Sequence, residues 1–155
     1  FGPGLPSNCP KVRSERIEQV DANLAAWEAG SLATSELPWE SWVYQERYRF
    51  LSNLSDATSA ERMEELDVTW NISTTGNNEV LFAWLEQSVR SHYAPSYNRL
   101  ESFLINIGRR KFLTPLYRAM VETDQTEMAL NIYKQARPNY HSVATGTMDE
   151  LLRLD

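Results

Sequence analysis

The chain has 155 residues, 42% hydrophobic and 23% charged, a balance that supports one buried core and excludes wholesale disorder. Its net charge of -6 argues against a general nucleic-acid binder, which needs a basic face to neutralise phosphates. No apolar run approaches the roughly 20 residues of a spanning helix, and no apolar stretch behind a basic start marks a secretory leader, so no membrane partner is expected. The lone Cys9 can form no internal disulfide, which fits a cytoplasmic location without requiring one. The opening Phe1-Gly2-Pro3-Gly4-Leu5-Pro6 reads as loop and lacks an initial Met. Residues 1–12 are therefore expected to connect to a preceding domain, with residues 13–155 forming one helical domain.

Apolar spacing of three and four dominates, and strand-length alternation is absent, so the chain reads as all-α with about eight helices. The first is expected from Ser14, with Ile17, Val20, Leu24 and Trp27 on one stripe, and to stop at Gly30 in a left-handed conformation. The second follows Pro38, turning Trp39, Trp42, Val43, Phe50 and Leu51 inward, and the third opens with the capping box Thr58-x-x-Glu61. Asn77 or Asn78 caps the fourth, whose stripe is Leu81, Trp84, Leu85 and Ser88. The fifth runs from about Ser96 to Gly108, and Thr114-Pro115 opens the sixth as N-cap and first helical residue. Asp124-x-x-Glu127 predicts the seventh, barred from continuing by Pro138, and Thr147-x-x-Glu150 the last.

Short connections favour antiparallel neighbours, and a series of such pairs stacks into a right-handed α-α superhelix of the armadillo or HEAT kind. No fixed repeat length is visible in the sequence, so an irregular superhelix is expected.

Chemistry-bearing motifs are sparse. His92 and His141 lie in different segments without a second histidine or a cysteine at ligand spacing, so this chain is expected to hold no metal or other cofactor and no catalytic residue. Cys9 has no histidine partner nearby, and the six glycines form no phosphate-binding loop. Trp27, Trp39, Trp42 and Trp84 read as core and interdomain packing before ligand stacking.

One stretch departs from this pattern, Ile107-Gly108-Arg109-Arg110-Lys111-Phe112-Leu113-Thr114-Pro115-Leu116-Tyr117. With Gly108 closing one helix and Thr114-Pro115 opening the next, Arg109 to Leu113 is expected to be an interhelix turn. In extended or turn backbone Arg109 and Lys111 project to one side and can hold one anion together, whereas residues two apart on a helix diverge. The competing explanation is that cations after a helix C-terminus complement its dipole, worth about 0.3–1 kcal/mol.

This run resembles the Gly-Arg-x-Lys-Phe…Pro-Leu-Phe/Tyr signature of leukotriene A(4) hydrolase-like zinc aminopeptidases. Three further stretches are similar to the same family: the Pro-Gly-Leu-Pro loop within residues 1–6, the helix Asn78-Glu79-Val80-Leu81-Phe82-Ala83-Trp84-Leu85, and the turn within residues 136–145. Ser142 departs from the family's His-Pro-Val-Thr turn, where the animal enzyme has proline. The resemblance implies a superhelical C-terminal domain packed on a thermolysin-like catalytic domain that lies upstream and carries the zinc ligands and general base. It implies that Arg109 and Lys111 recognise the carboxylate of short peptide substrates, with Arg110 in the variable slot between them. A free-standing helical-repeat adaptor that binds a protein partner is the alternative reading. A His-Glu-x-x-His motif upstream in the same reading frame separates the two.

Overall fold

The computed structural model describes residues 4–55, 57–107, 110–140 and 142–152, with the backbone alone described at 4–14, 110, 142–144 and 147. Among the described residues there are eight α-helices, five short 3-10 turns and no strand. The helices are α1 (Gly4–Glu28), α2 (Tyr44–Ser52), α3 (Ala60–Trp70), α4 (Asn78–Arg90), α5 (Tyr97–Asn106), α6 (Arg110–Glu122), α7 (Thr126–Ala136) and α8 (Ser142–Leu151). None of them is long and apolar enough to cross a membrane.

The even-numbered helices form one layer, in which α2 packs on α4, α4 on α6 and α6 on α8, while α5 packs on α7 in a second layer. Glu79 and Lys111, and Arg90 and Glu122, pair across α4 and α6 at a separation of 32 residues each. α6 therefore follows α4 at an offset of 32 residues although no sequence motif recurs with it. Ion pairs join Glu79 to Lys111 at one end of α4 and α6 and Arg90 to Glu122 at the other, so the two helices run parallel and in register. This two-layered stacking agrees with the expected α-α superhelix.

The core explains the layer. Val80, Leu81, Trp84, Leu85 and Val89 of α4 are buried, and so are Phe112, Leu113, Leu116, Tyr117 and Met120 of α6. Where polar groups enter, they are paired: Ser88 Oγ donates to the Trp84 carbonyl at 2.8 Å, and Gln87 Nε2 donates to the Ser55 carbonyl and to Ser91 Oγ. Around α1 and α2 the ring of Phe50 lies 5.9, 6.0 and 5.5 Å from those of Trp27, Trp39 and Trp42. All four rings are buried, which bears out the reading of these tryptophans and of Trp84 as core. Nearby, the Arg16 guanidinium on Glu46 holds that buried carboxyl below the usual carboxylate range.

Several boundaries differ from expectation. α1 starts at Gly4 rather than Ser14, so residues 4–12 are helical instead of loop. Pro6 sits in the first turn, where its missing N–H is one of the groups that lack an intrahelical partner in any case. Gly30 does terminate the helix in the left-handed region, at φ 83°. Trp39–Ser41 is a 3-10 turn, and α2 proper begins after Val43, which flanks the helix and is 52% exposed rather than turned inward. The cap of α3 is Ser59, whose Oγ accepts from Arg62 N, while the Thr58 hydroxyl donates to the Ser55 carbonyl. Asn77 caps α4 as expected, its Oδ1 accepting from Val80 N at 3.0 Å.

The later boundaries shift for reasons of packing. α6 begins at Arg110, with Pro115 inside it, because Phe112 and Leu113 share the buried face of Leu116 and Tyr117 and extend the stripe back past the proline. No capping box forms at Asp124, which closes the α6–α7 turn in the left-handed region at φ 62°. α8 starts at Ser142, ahead of Thr147, and buries Met148.

Asp67 ties α3 to the turn that follows it and to the segment after α4. It accepts from Ser73 N, Ser73 Oγ and Tyr93 Oη, each at 2.9 Å, and Ser73 Oγ in turn accepts from Trp84 Nε1. Tyr93 is 4% exposed, so removing its acceptor leaves a poorly hydrated hydroxyl. Asp67→Ala is therefore expected to lower the unfolding free energy in urea titration by about 1–3 kcal/mol. A loss below about 0.5 kcal/mol, the range of a neutral surface change, would contradict this role.

Candidate substrate-carboxylate site

The candidate site lies at the start of α6, beside the start of α4. Ile107 ends α5 in extended backbone, its N–H donating to the Phe103 carbonyl at 2.8 Å. Gly108 and Arg109 lie outside the described residues, so the expected Arg109–Lys111 pair is described at the lysine alone.

Lys111 is the second residue of α6 and not part of an interhelix turn. This changes its electrostatics. The positive end of a helix dipole disfavours a cation in the first turn, so Lys111 gains nothing from the dipole of its own helix. Its charge is offset by Glu79, whose Oε1 lies 2.8 Å from Lys111 Nζ, with both side chains about half exposed. Glu79 stands in the first turn of α4, where the dipole favours an anion. Sequence reading singled out Lys111 as a candidate and did not pair it with Glu79. The two are 32 residues apart, and the parallel placement of α4 and α6 brings them together.

The position of Lys111 is set by its neighbour. Phe112 is buried, with its ring centroid 5.2 Å from Phe82 and 5.7 Å from Phe103, so it fastens the first turn of α6 to α4 and α5. Lys111 Nζ lies 4.8 Å from the centroid of the Phe112 ring, within cation–π range. The lysine stem thus rests on an apolar support while its ammonium stays in reach of solvent.

Deeper in the same helix, Tyr117 Oη and Tyr140 Oη are 2.9 Å apart, and Tyr140 Oη donates to the Leu104 carbonyl at 2.5 Å. Burial pushes the Tyr140 hydroxyl up to about 12, so it stays protonated and can donate. This ties the segment after α7 to α5 and α6. His141 lies outside the described residues, and Cys9 is on α1 with its side chain likewise outside them. His92 is exposed, in the left-handed region at φ 55°. Among the described residues no three His, Cys, Asp or Glu side chains converge as a metal-holding group.

The division of labour between Phe112 and Lys111 can be measured. Phe112→Ala is expected to cost about 3–5 kcal/mol of stability in denaturant unfolding, whereas Lys111→Met changes it by no more than about 1 kcal/mol. A Lys111→Met loss as large as that of Phe112→Ala would make Lys111 a structural residue.

Against known proteins, the family model described as "Leukotriene A4 hydrolase, C-terminal" matches residues 42–152. Leucine aminopeptidase 2 of Pyricularia oryzae is 25% identical over 99% of this chain. Leucine aminopeptidase 2 of Kluyveromyces lactis is 38% identical over 92% of it, and leucine aminopeptidase 2-1 of Meyerozyma guilliermondii is 35% identical over 92%. In each case the chain spans about a quarter of the relative's length. Both the helical architecture and these matches lead to one assignment: the chain belongs to the leukotriene A4 hydrolase C-terminal family.

Proposed function

We propose that this chain is the substrate-positioning domain of a zinc-dependent aminopeptidase that removes N-terminal residues from short peptides. In this reading it packs on its own catalytic domain in the cytoplasm, and the zinc, its ligands and the general base belong to that other domain. The names of the matched relatives support the aminopeptidase activity. The chemistry of the peptide-binding step is what this chain supplies.

The observation that carries the assignment of the site is a cation in a place where the helix dipole opposes it, Lys111 in the first turn of α6. Such a cation is served by an anion, and the C-terminal carboxylate of a short peptide is an anion at a fixed distance from the bond to be cut. Arg109, one residue before α6, adds the stronger grip. A guanidinium can hold a carboxylate with two parallel charge-assisted bonds, while Lys111 contributes a point charge from the side. Held at that end, the peptide presents its N-terminal residue at a constant place, and the gain is one of orientation.

In the full-length enzyme Arg109→Ala is expected to lower kcat/KM for free tripeptides by at least about 10- to 100-fold, the equivalent of roughly 1.5–3 kcal/mol. Arg110→Ala should have little effect, because Arg110 fills the variable slot of the Gly-Arg-x-Lys pattern that the resemblance implies. Equal losses in the two variants, or full activity of Arg109→Ala on free tripeptides, would remove the carboxylate role.

A further inference from the structure

We infer that Glu79 is a positioning residue for Lys111. It holds the ammonium when no substrate is bound and yields it to the substrate carboxylate, so that Glu79 tunes how strongly the site prefers a free peptide C-terminus. This inference rests on the carboxylate reading above and goes beyond it by adding an anion that competes with the substrate.

The geometry supports exchange of partners. Glu79 Oε1 is in direct contact with Lys111 Nζ at 2.8 Å, yet both side chains are about half exposed, so the pair is solvated and can open. Each partner stands in the first turn of its helix, Glu79 on α4 and Lys111 on α6. The dipole of α4 favours Glu79 as an anion without the lysine, whereas the dipole of α6 disfavours Lys111 and makes a nearby anion favourable. Release of Lys111 by Glu79 therefore costs Glu79 little, and an incoming carboxylate fills the need it leaves. The Phe112 ring beneath the lysine stem, itself fixed against Phe82 and Phe103, lets Nζ change partner while its base stays in place.

The same two helices carry a comparison pair. Arg90 on α4 lies 3.1 Å from Glu122 on α6 and is also 3.9 Å from Glu86, so it stays neutralised if either contact opens. That pair is at the far end of both helices from Lys111.

The test is made in the full-length enzyme, with KM and kcat measured for a free tripeptide and for its C-terminal amide. Glu79→Gln, which keeps size and helix propensity, should lower KM for the free tripeptide by about 2- to 5-fold, the range of an exposed ion pair. It should leave KM for the amide unchanged, and the shift should shrink at high salt. In a Lys111→Met background Glu79→Gln should have no effect, and Glu122→Gln should leave the free-to-amide ratio where it was. An unchanged ratio in Glu79→Gln, together with a shifted ratio in Lys111→Met, would overturn the role of Glu79 and leave the carboxylate site standing. An unchanged ratio in Lys111→Met would overturn the lysine's part in that site and the role of Glu79 with it. Equal changes for free and amidated substrates in Glu79→Gln would make the pair structural only, and would overturn the inference as well.

Discussion

The burial of α4 is the constraint on which the rest of the molecule depends. With Trp84, Leu85 and Val89 fully inside and Val80 and Leu81 nearly so, α4 is clamped between α2 and α6. Each large apolar side chain taken from water contributes about 1.5–3 kcal/mol, far more than any exposed ion pair in the chain. The ion pairs at the two ends of α4 and α6 are thus consequences of helix placement. Apolar packing decides that the helices lie parallel and level, and Glu79 then meets Lys111 because both occupy the same turn of equivalent helices. The same placement allows the Asp67 network to gather donors from the turn after α3 and from Tyr93, with Trp84 reaching it from α4 through Ser73.

Much of this was legible in the sequence where the signal is local and uncontested. Asn77 is followed by a stripe at helical spacing, and it caps α4; Gly30 marks the end of α1 because a residue was needed there that adopts positive φ freely. Local signals failed where tertiary packing outweighed them. Thr114-Pro115 looks like a helix start, but the demand to bury Phe112 and Leu113 carries the helix back to Arg110. Asp124 looks like a cap, yet it serves better as the left-handed residue of a tight turn, and the Gln125 side chain beside it is taken up by the Val89 carbonyl and the Tyr97 hydroxyl. The site followed the same rule. Lys111 stood out in the sequence as a candidate, whereas its contact with Glu79 emerged only once α4 and α6 were seen side by side in three dimensions, with the two residues 32 apart.

The parallel placement of these helices also concentrates charge at one end of the layer. Stacked parallel helices bring several N-termini to one end of the layer, and the first turn of each is a place where charge has a large effect on its surroundings. In α4 this end carries an anion and in α6 a cation, so the two helices differ in sign at equivalent positions. A surface of that kind suits the role proposed above, recognition of the polar end of a ligand while a partner domain supplies the reaction.

Whether the carboxylate of a bound peptide sits at the start of α6 is tested most directly by a crystal structure of the full-length enzyme with a non-hydrolysable tripeptide analogue. The C-terminal carboxylate is expected about 3 Å from Lys111 Nζ and gripped by Arg109, with Lys111 released from Glu79. A carboxylate held by residues outside this chain, with the Lys111–Glu79 pair still closed, would contradict that placement.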